Sequence, residues 1–444
     1  MKKEHNIMET MNLRKLSIKM ATPMVISMLS LALYNLVDSI FVANIGLNAL
    51  TAISLSYPIQ AILIAISLGT SIGVNSLISR KLGEKDNKKA NETAMNGIFL
   101  ISISYLIILI FAYIFLNPII HFFTTDKEIV KYALIYLSTC ITFSFGLLYQ
   151  ILFEKISEAY GKPSYSMIIQ ISGAILNLIL DPLLIYGWKF IPSMGIKGAA
   201  IATVTGQIFG MILGIKLLNK KYINFKFRKI KPNKELIKQI YQVGIPTITS
   251  ESLSAFVSLV LNKLLISFSV FAVPLWGIYD KVQSLIFMIA YGFNYGMIPI
   301  VGYNYGAKNY GRMKSTIKLF LLYNEVIMLL GMMLLVYGGN LIFNIYGADA
   351  GVIDIGILAF KTLSISFVFE GISLVISSVF QATGKGTYSL IIFLFRKIII
   401  NIPVIFFLTK YKTIDYVWYT ILLSTIIASI ISIILYNKER KKLI

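Results

Sequence analysis

Thiols and imidazoles are nearly absent from this 444-residue chain, which has one cysteine, Cys140, and two histidines, His5 and His121. A lone thiol closes no disulfide within the chain and builds no thiolate cluster. Neither histidine lies near a carboxylate pair at ligand spacing, so disulfide scaffolds and transition-metal sites drop out. A phosphate cradle of the form G-x-x-x-x-G-K-[ST] is also missing. Gly384-Lys385-Gly386-Thr387 approaches it without the upstream glycine, and reads as a turn between two apolar segments. Acids are few, 20 against 41 Lys and Arg, for a net charge of +21. Nothing in this inventory predicts an enzyme, a nucleotide-driven pump or a bound cofactor.

What the chain has is apolar length. Hydrophobic residues make up 57% of it, and its mean hydropathy is +0.77, too apolar for a soluble protein of this size. A helix needs about 20 apolar residues to cross the hydrocarbon core. Segments of that length lie near 17–43, 49–80, 93–117, 129–156, 162–187, 194–219, 238–268, 273–301, 312–338, 356–382, 386–410 and 413–437. The run beginning near Ile18 is expected to be a span, not a cleaved signal, since no small-x-small site precedes it.

The second half repeats the first. Adding 223 to a position returns Pro23 as Pro246, Gly69 as Gly292, Gly73 as Gly296 and Gly83 as Gly306, and Ala159-x-Gly161-Lys162 returns as Ala382-x-Gly384-Lys385. Six helices per copy is an even number, so both copies enter the membrane from the same side, a parallel repeat about an axis along the membrane normal. The expected fold is an all-α integral membrane protein: twelve transmembrane helices in two six-helix lobes, 1–218 and 237–444, joined by a linker over 219–236.

Charge placement orients the chain. Roughly 30 of the 41 Lys and Arg fall at the N-terminus, in alternate loops and at the C-terminus, the positive-inside pattern with both termini cytoplasmic. These charges set orientation and meet lipid headgroups; no basic soluble module exists to suggest a nucleic-acid partner. The glycosylation sequon Asn91-Glu92-Thr93 is discounted because its loop falls on the cytoplasmic side.

An ionisable group deep in a bilayer costs roughly 2.5–3.5 kcal/mol or more and so points to function. Asp38 lies about two turns before the outer end of the first helix, and Asp181, with Asn177 one turn earlier on the same face, at a similar depth in the fifth. Thr203 enters at that depth on the sixth. Two carboxylates, an amide and a hydroxyl at one height suit Na⁺ at Asp38, Asn177 and Asp181, or a proton shared between the carboxylates. In the second copy Glu251 and Glu370 lie near the midplane and Asp280 on the eighth helix. These three are candidates for a second ion site or a counter-charge to a cationic substrate. Buried ionisable groups read as mostly acidic, with Lys263, Lys281 and Arg396 the exceptions, and Arg396 as structural. Tyr34, Tyr149, Phe153, Tyr279, Met288 and Tyr291 are candidates to line a cavity and hold lipophilic cations by stacking.

In order along the chain stand Pro23 through Asp38, Pro58, Gly69 to Leu82-Gly83-Glu84-Lys85-Asp86, Asn177-x-x-x-Asp181-Pro182, Gly195-Ile-Lys-Gly-Ala-Ala-Ile-Ala-Thr203 and Gly302-Tyr-Asn-Tyr-Gly-Ala-Lys308-Asn309. On a six-plus-six repeat this set resembles the multidrug and toxic compound extrusion (MATE) transporters across almost the whole chain. It is nearest the prokaryotic DNA-damage-inducible F-like and Gram-positive drug-efflux branches. The resemblance implies a V-shaped, two-lobed monomer in a prokaryotic cell membrane that exports organic cations against entry of H⁺ or Na⁺. It carries the first-lobe ion site to Asp38, Asn177, Asp181 and Thr203, with Pro23 as the kink of a bending first helix. Glu370 falls where the Na⁺-coupled branch has a carboxylate, whereas Glu251 lies about one turn earlier than that branch's glutamate. The rival function is a lipid or lipid-linked oligosaccharide flippase of the same superfamily, which would line its cavity with basic residues to meet pyrophosphate.

Overall fold

A computed structural model describes residues 7–219, 225–227, 229, 231–410 and 414–441. In the first copy a one-turn helix, α1 (Ile7–Thr10), precedes α2 (Leu13–Ala43), α3 (Leu47–Gly83) and α4 (Asn87–Phe123). The pair α5 (Lys127–Thr142) and α6 (Phe145–Ala159) follows, then α7 (Pro163–Ile185) and α8 (Ile196–Leu218). The second copy runs α9 (Lys234–Ile266), α10 (Ala272–Gly306), α11 (Tyr310–Ile345), α12 (Ala350–Ala382), α13 (Gly386–Leu394), α14 (Asn401–Leu408) and α15 (Asp415–Arg440). A π-helical turn, Phe395–Ile399, joins α13 to α14. Among the described residues eleven helices are long and apolar enough to cross a membrane, counting Gly386–Leu408 as one, and α5 with α6 supplies a twelfth, bent by 48°. The chain is a multi-pass membrane protein.

Element boundaries repeat with the sequence because their caps do. Asp86 accepts from the Lys89 amide at the start of α4, and Asn309, its counterpart, accepts from that of Arg312 at the start of α11. Just before them Lys85 and Lys308 adopt left-handed φ of 61° and 55°, closing the preceding helices in the same way. The Gly161 and Gly384 turns carry φ of 74° and 84°, a conformation glycine adopts without a Cβ clash.

The repeated glycines explain how the copies meet. Helix α3 packs on α9, and α10 on α2, so each copy gives its second helix to the other's first. A Cβ on Gly83 would collide with the Tyr303 carbonyl oxygen, and one on Gly306 with that of Arg80. Arg80 and Tyr303 are themselves counterparts, so this is one contact made twice across a pseudo-two-fold axis. Gly69 lies against Gly244 and Ile248, and Gly292 against Met24 and Val25. Every residue from Gly69 to Ser79, and from Gly296 to Asn304, is buried. The lobes therefore close at the end that carries the basic loops, here the basic end. Towards the other end Tyr57 is 64% exposed and Glu251 is exposed, each on a wall of a cleft between the lobes.

The linker is held along α4. Asn91 donates to the Lys226 carbonyl at 3.0 Å and accepts from its amide at 2.7 Å, and Asn96 accepts from the Asn233 amide at 2.8 Å. Asn91, the sequon asparagine, thus spends its side chain on the chain's own backbone. Lys385 pairs with Glu439 of α15, so its turn is a clasp between helices and no phosphate cradle.

Candidate functional site

Two glycines decide where the first-lobe polar groups meet. A Cβ on Gly206 would lie 2.6 Å from the Gly173 carbonyl, and one on Gly173 2.9 Å from that of Gly206. Helices α7 and α8 therefore touch backbone to backbone, which sets Thr203 beside Asn177. The Asn177 Nδ2 lies 3.4 Å from Asp181 Oδ1 and 3.5 Å from Thr203 Oγ1. Helix α2 packs on α7 and adds two groups one turn apart: Asp38, whose carboxyl lies within electrostatic reach of Asp181, and Tyr34, beside Thr203. Tyr136 of α5 closes the far side, with Gln60 of α3 donating to its hydroxyl at 3.4 Å. Asn177, Asp181 and Thr203 are buried; Asp38 is half-buried.

Two carboxyl groups in such mutual reach favour a proton or a cation between them over two bare charges, so this arrangement has a place for one. It also leaves Asp38 Oδ1, Asn177 Oδ1 and Asp181 Oδ2 without hydrogen-bond donors. Three such oxygens match the hard-oxygen preference of a cation such as Na⁺. No cluster of three His, Cys, Asp or Glu side chains occurs among the described residues, so the set does not resemble a site for a tightly held divalent ion. Pro23 lies inside α2, which runs unbroken through it.

The second lobe is arranged differently from expectation. Glu370 is not a free carboxylate: its Oε1 lies 2.8 Å from Arg396 Nη1, and both residues are buried. The π-helical turn sets that arginine. Pro403 has no amide hydrogen to give the turn behind it, and the Arg396 carbonyl is taken up by Asn401 at 2.8 Å and Ser424 at 3.1 Å. Glu251 faces the cleft, within electrostatic reach of Arg396 and of Tyr57 across the seam. Asp280 lines a cavity of about 110 Å³ with Lys397, Asn401, Ser254 and Trp276. Glu251 and Glu370 therefore do not form a bare acidic pair.

Of the candidate aromatics, Phe153 and Tyr279 are buried within their own lobes. Phe153 stacks on Tyr149 and meets Phe227 of the linker, and Tyr279 packs among Trp276, Phe360 and Phe367. Tyr149 bonds to Ser102, so these three belong to lobe interiors and not to the cleft. Tyr291 lies within electrostatic reach of Arg396 and stacks on Tyr295 at 6.5 Å, and Met288 is half-buried on the same helix.

Sequence reasoning missed several charges. Lys263 and Lys281 are exposed, whereas Lys155 and Lys397 are the embedded lysines. Lys155 pairs with Glu158 at 2.9 Å and lies 4.0 Å over the Tyr295 ring from the other lobe. Asn75 and Ser166 complete the Glu158 shell. An i, i+3 pair just before the repeated Ala159 landmark was a readable signal for it.

Residues 23–183 and again 246–407 match the MatE family model, two segments that begin 223 positions apart. The multidrug export protein MepA of Staphylococcus aureus (strain bovine RF122 / ET3-1) is 28% identical over 95% of this chain and 93% of its own length. Among solved structures, the outward-facing conformation of a multidrug resistance MATE family transporter of the MOP superfamily superposes with a TM-score of 0.91. It is 23% identical and covers 99% of this chain and 98% of that one. A MOP superfamily transporter from Pyrococcus furiosus, described as having a binding pocket of reversed polarity that suggests a different function, gives the same TM-score, identity and coverage.

Proposed function

Because the chain belongs to the MatE family of membrane transporters, we propose that it exports lipophilic organic cations, such as drugs and dyes, in exchange for inward-moving H⁺ or Na⁺. The observation that carries this reading is the Asp38–Asp181 carboxyl pair, held with Asn177, Thr203 and Tyr34 inside the first lobe. Export by the staphylococcal relative supports the direction. In this reading the basic end is cytoplasmic, so both termini lie inside and the cleft opens outward from a monomer in the cell membrane. A net single charge moving inward through about 150 mV, counted after the cargo's own charge, supplies roughly 3.5 kcal/mol, enough for an outward gradient of two to three decades. Ion binding at the pair would act on α2, where Pro23 removes one backbone bond and lowers the cost of bending.

Asp38→Asn keeps the shape of the side chain but cannot exchange a proton or bind Na⁺ as a carboxylate. Ethidium efflux from cells should stop while the purified variant remains monodisperse. Undiminished efflux from well-expressed Asp38→Asn would end this reading. Drug-evoked ion movement in proteoliposomes, with Na⁺ and pH gradients imposed separately, identifies the coupling ion.

The second reading is a flippase for lipids or lipid-linked sugars, and Arg396 and Lys397 are the residues that favour it. Arg396 is already matched by Glu370, however, and Glu251 and Asp280 are exposed acids within reach of Tyr57 on the cleft wall. That balance suits a cationic cargo better than a pyrophosphate. Cells expressing the protein should gain resistance to cationic dyes; a protein that moved fluorescent lipid and gave no resistance would favour the flippase.

A further inference from the structure

Glu325 is an acid of the membrane-spanning helices that neither the first-lobe cluster nor the second-lobe charges account for. It lies on α11, about 22 Å along the helix from Tyr310, which places it well inside the bilayer. Both carboxyl oxygens are shielded, and neither has a hydrogen-bond partner. The carboxyl rests in a niche on α12 that exists because residue 371 is glycine: a Cβ there would lie 2.6 Å from Glu325 Oε1.

The internal repeat shows what is unusual about this position. The counterpart of Glu325 is Ser102, whose hydroxyl lies 2.6 Å from that of Tyr149. In the second copy Ile372 stands where Tyr149 stands in the first. A hydroxyl paired with a tyrosine has thus been replaced by a carboxyl, and the tyrosine by an isoleucine that packs towards Ile376, Phe380 and Ile392. The neighbouring amides are engaged elsewhere, Asn324 donating to the Gly371 carbonyl at 3.0 Å and Asn294 to the Ala290 carbonyl at 2.8 Å. No charge from the packed helices reaches the niche. On α12 Glu370 is paired with Arg396, and on α10 Tyr291 and Tyr295 stack at the seam. Tyr323 on α11 itself lies against Phe293, and Lys15 and Lys19 of α2 are exposed.

An ionised carboxylate has no compensation in such a place, whereas a carboxylic acid fits it. We propose that Glu325 is a second proton-binding site, carried by the second lobe and separate from the Asp38–Asp181 pair. Its proton comes from water when the niche between α11 and α12 is open and returns to water on the other side when the lobes have moved. The transport role rests on the antiport reading above; the proton itself does not.

The test uses the full-length protein in lipid. Glu325→Gln preserves shape but has no proton to exchange, and Glu325→Ser restores the first-copy residue. Infrared difference spectra across a pH step should show the carbonyl stretch of a protonated carboxylic acid in the wild type and in Asp38→Asn. The part of that band that Asp38→Asn retains should be lost when either Glu325 variant is combined with Asp38→Asn. In proteoliposomes the number of protons moved per ethidium exported should halve in Glu325→Gln while export persists. The same band in Asp38→Asn with and without the Glu325 substitutions overturns the proposal and leaves the Asp38 mechanism standing. The band lost, with no dye-driven movement of either H⁺ or Na⁺ even in the wild type, keeps the proton at Glu325 and overturns the antiport reading instead.

Discussion

A carboxylate inside a bilayer is neutralised by a proton, a mobile cation or a fixed partner, and the acids of this chain divide along those lines. Glu158 has Lys155 and Glu370 has Arg396, fixed partners that make both structural. Asp38 and Asp181 face each other without an ion pair to Lys or Arg among the described residues, which in the proposed antiport leaves them to a proton or a mobile cation. Glu251 faces the cleft, where water and cargo can reach it. From this division Asp181→Asn should uncouple transport from the ion gradient, while Glu251→Gln should weaken cargo affinity and leave coupling intact. Dye-evoked ion flux against dye concentration separates the two effects. Uncoupling by Glu251→Gln, with Asp181→Asn still coupled, would move the ion site to the second lobe.

At the scale of helices, the ion cluster depends on the approach of α7 and α8 as much as on its polar residues. The Gly173–Gly206 contact is the close-packing device that small residues supply between membrane helices. Gly206→Val would drive α8 away from Asn177, whose Cβ already lies 3.1 Å from where a Cβ at 206 would be. Overpacking of this kind costs about 1–3 kcal/mol. The expected outcome is a lowered Tm together with lost ion coupling, although no polar atom has been removed. A variant that kept its coupling at a lowered Tm would show that the Thr203 position is dispensable. The irregular spans follow a comparable logic. The copies are regular in different places: α5–α6 breaks where α12 runs straight, and Phe395–Ile399 widens where α7 is regular.

At the scale of the whole molecule, the six repeated glycines mark a seam that is rigid at the basic end and open at the other. Rocking of two lobes about a central site is the usual way such repeats alternate access, and this seam is the contact that would have to separate. Gly83→Ala sets a methyl group against the Tyr303 carbonyl and should push the lobes apart at the basic end. In a Cys140→Ser background, Ser79→Cys is buried in the seam and should resist maleimide. Adding Gly83→Ala should raise its labelling. Equal labelling with and without Gly83→Ala would mean that the seam absorbs the methyl group without opening.

The membrane class, the twelve spans, the parallel repeat and the first-lobe cluster were legible in the sequence because each is a local or periodic signal. Apolar length sets a span, an even helix count sets the parallel repeat, and residue count from a helix end sets depth, so Asp38, Asn177, Asp181 and Thr203 could be placed together. Pairing across helices is not periodic. That Arg396 belongs to Glu370, that Lys155 reaches Tyr295 in the other lobe, and that Phe153 and Tyr279 turn inward depend on rotation about helix axes and on backbone approach at glycines. Nor does the sequence tell which end of the cleft is closed: the same repeat serves both arrangements, and only the packing of Gly69, Gly83, Gly292 and Gly306 selects one.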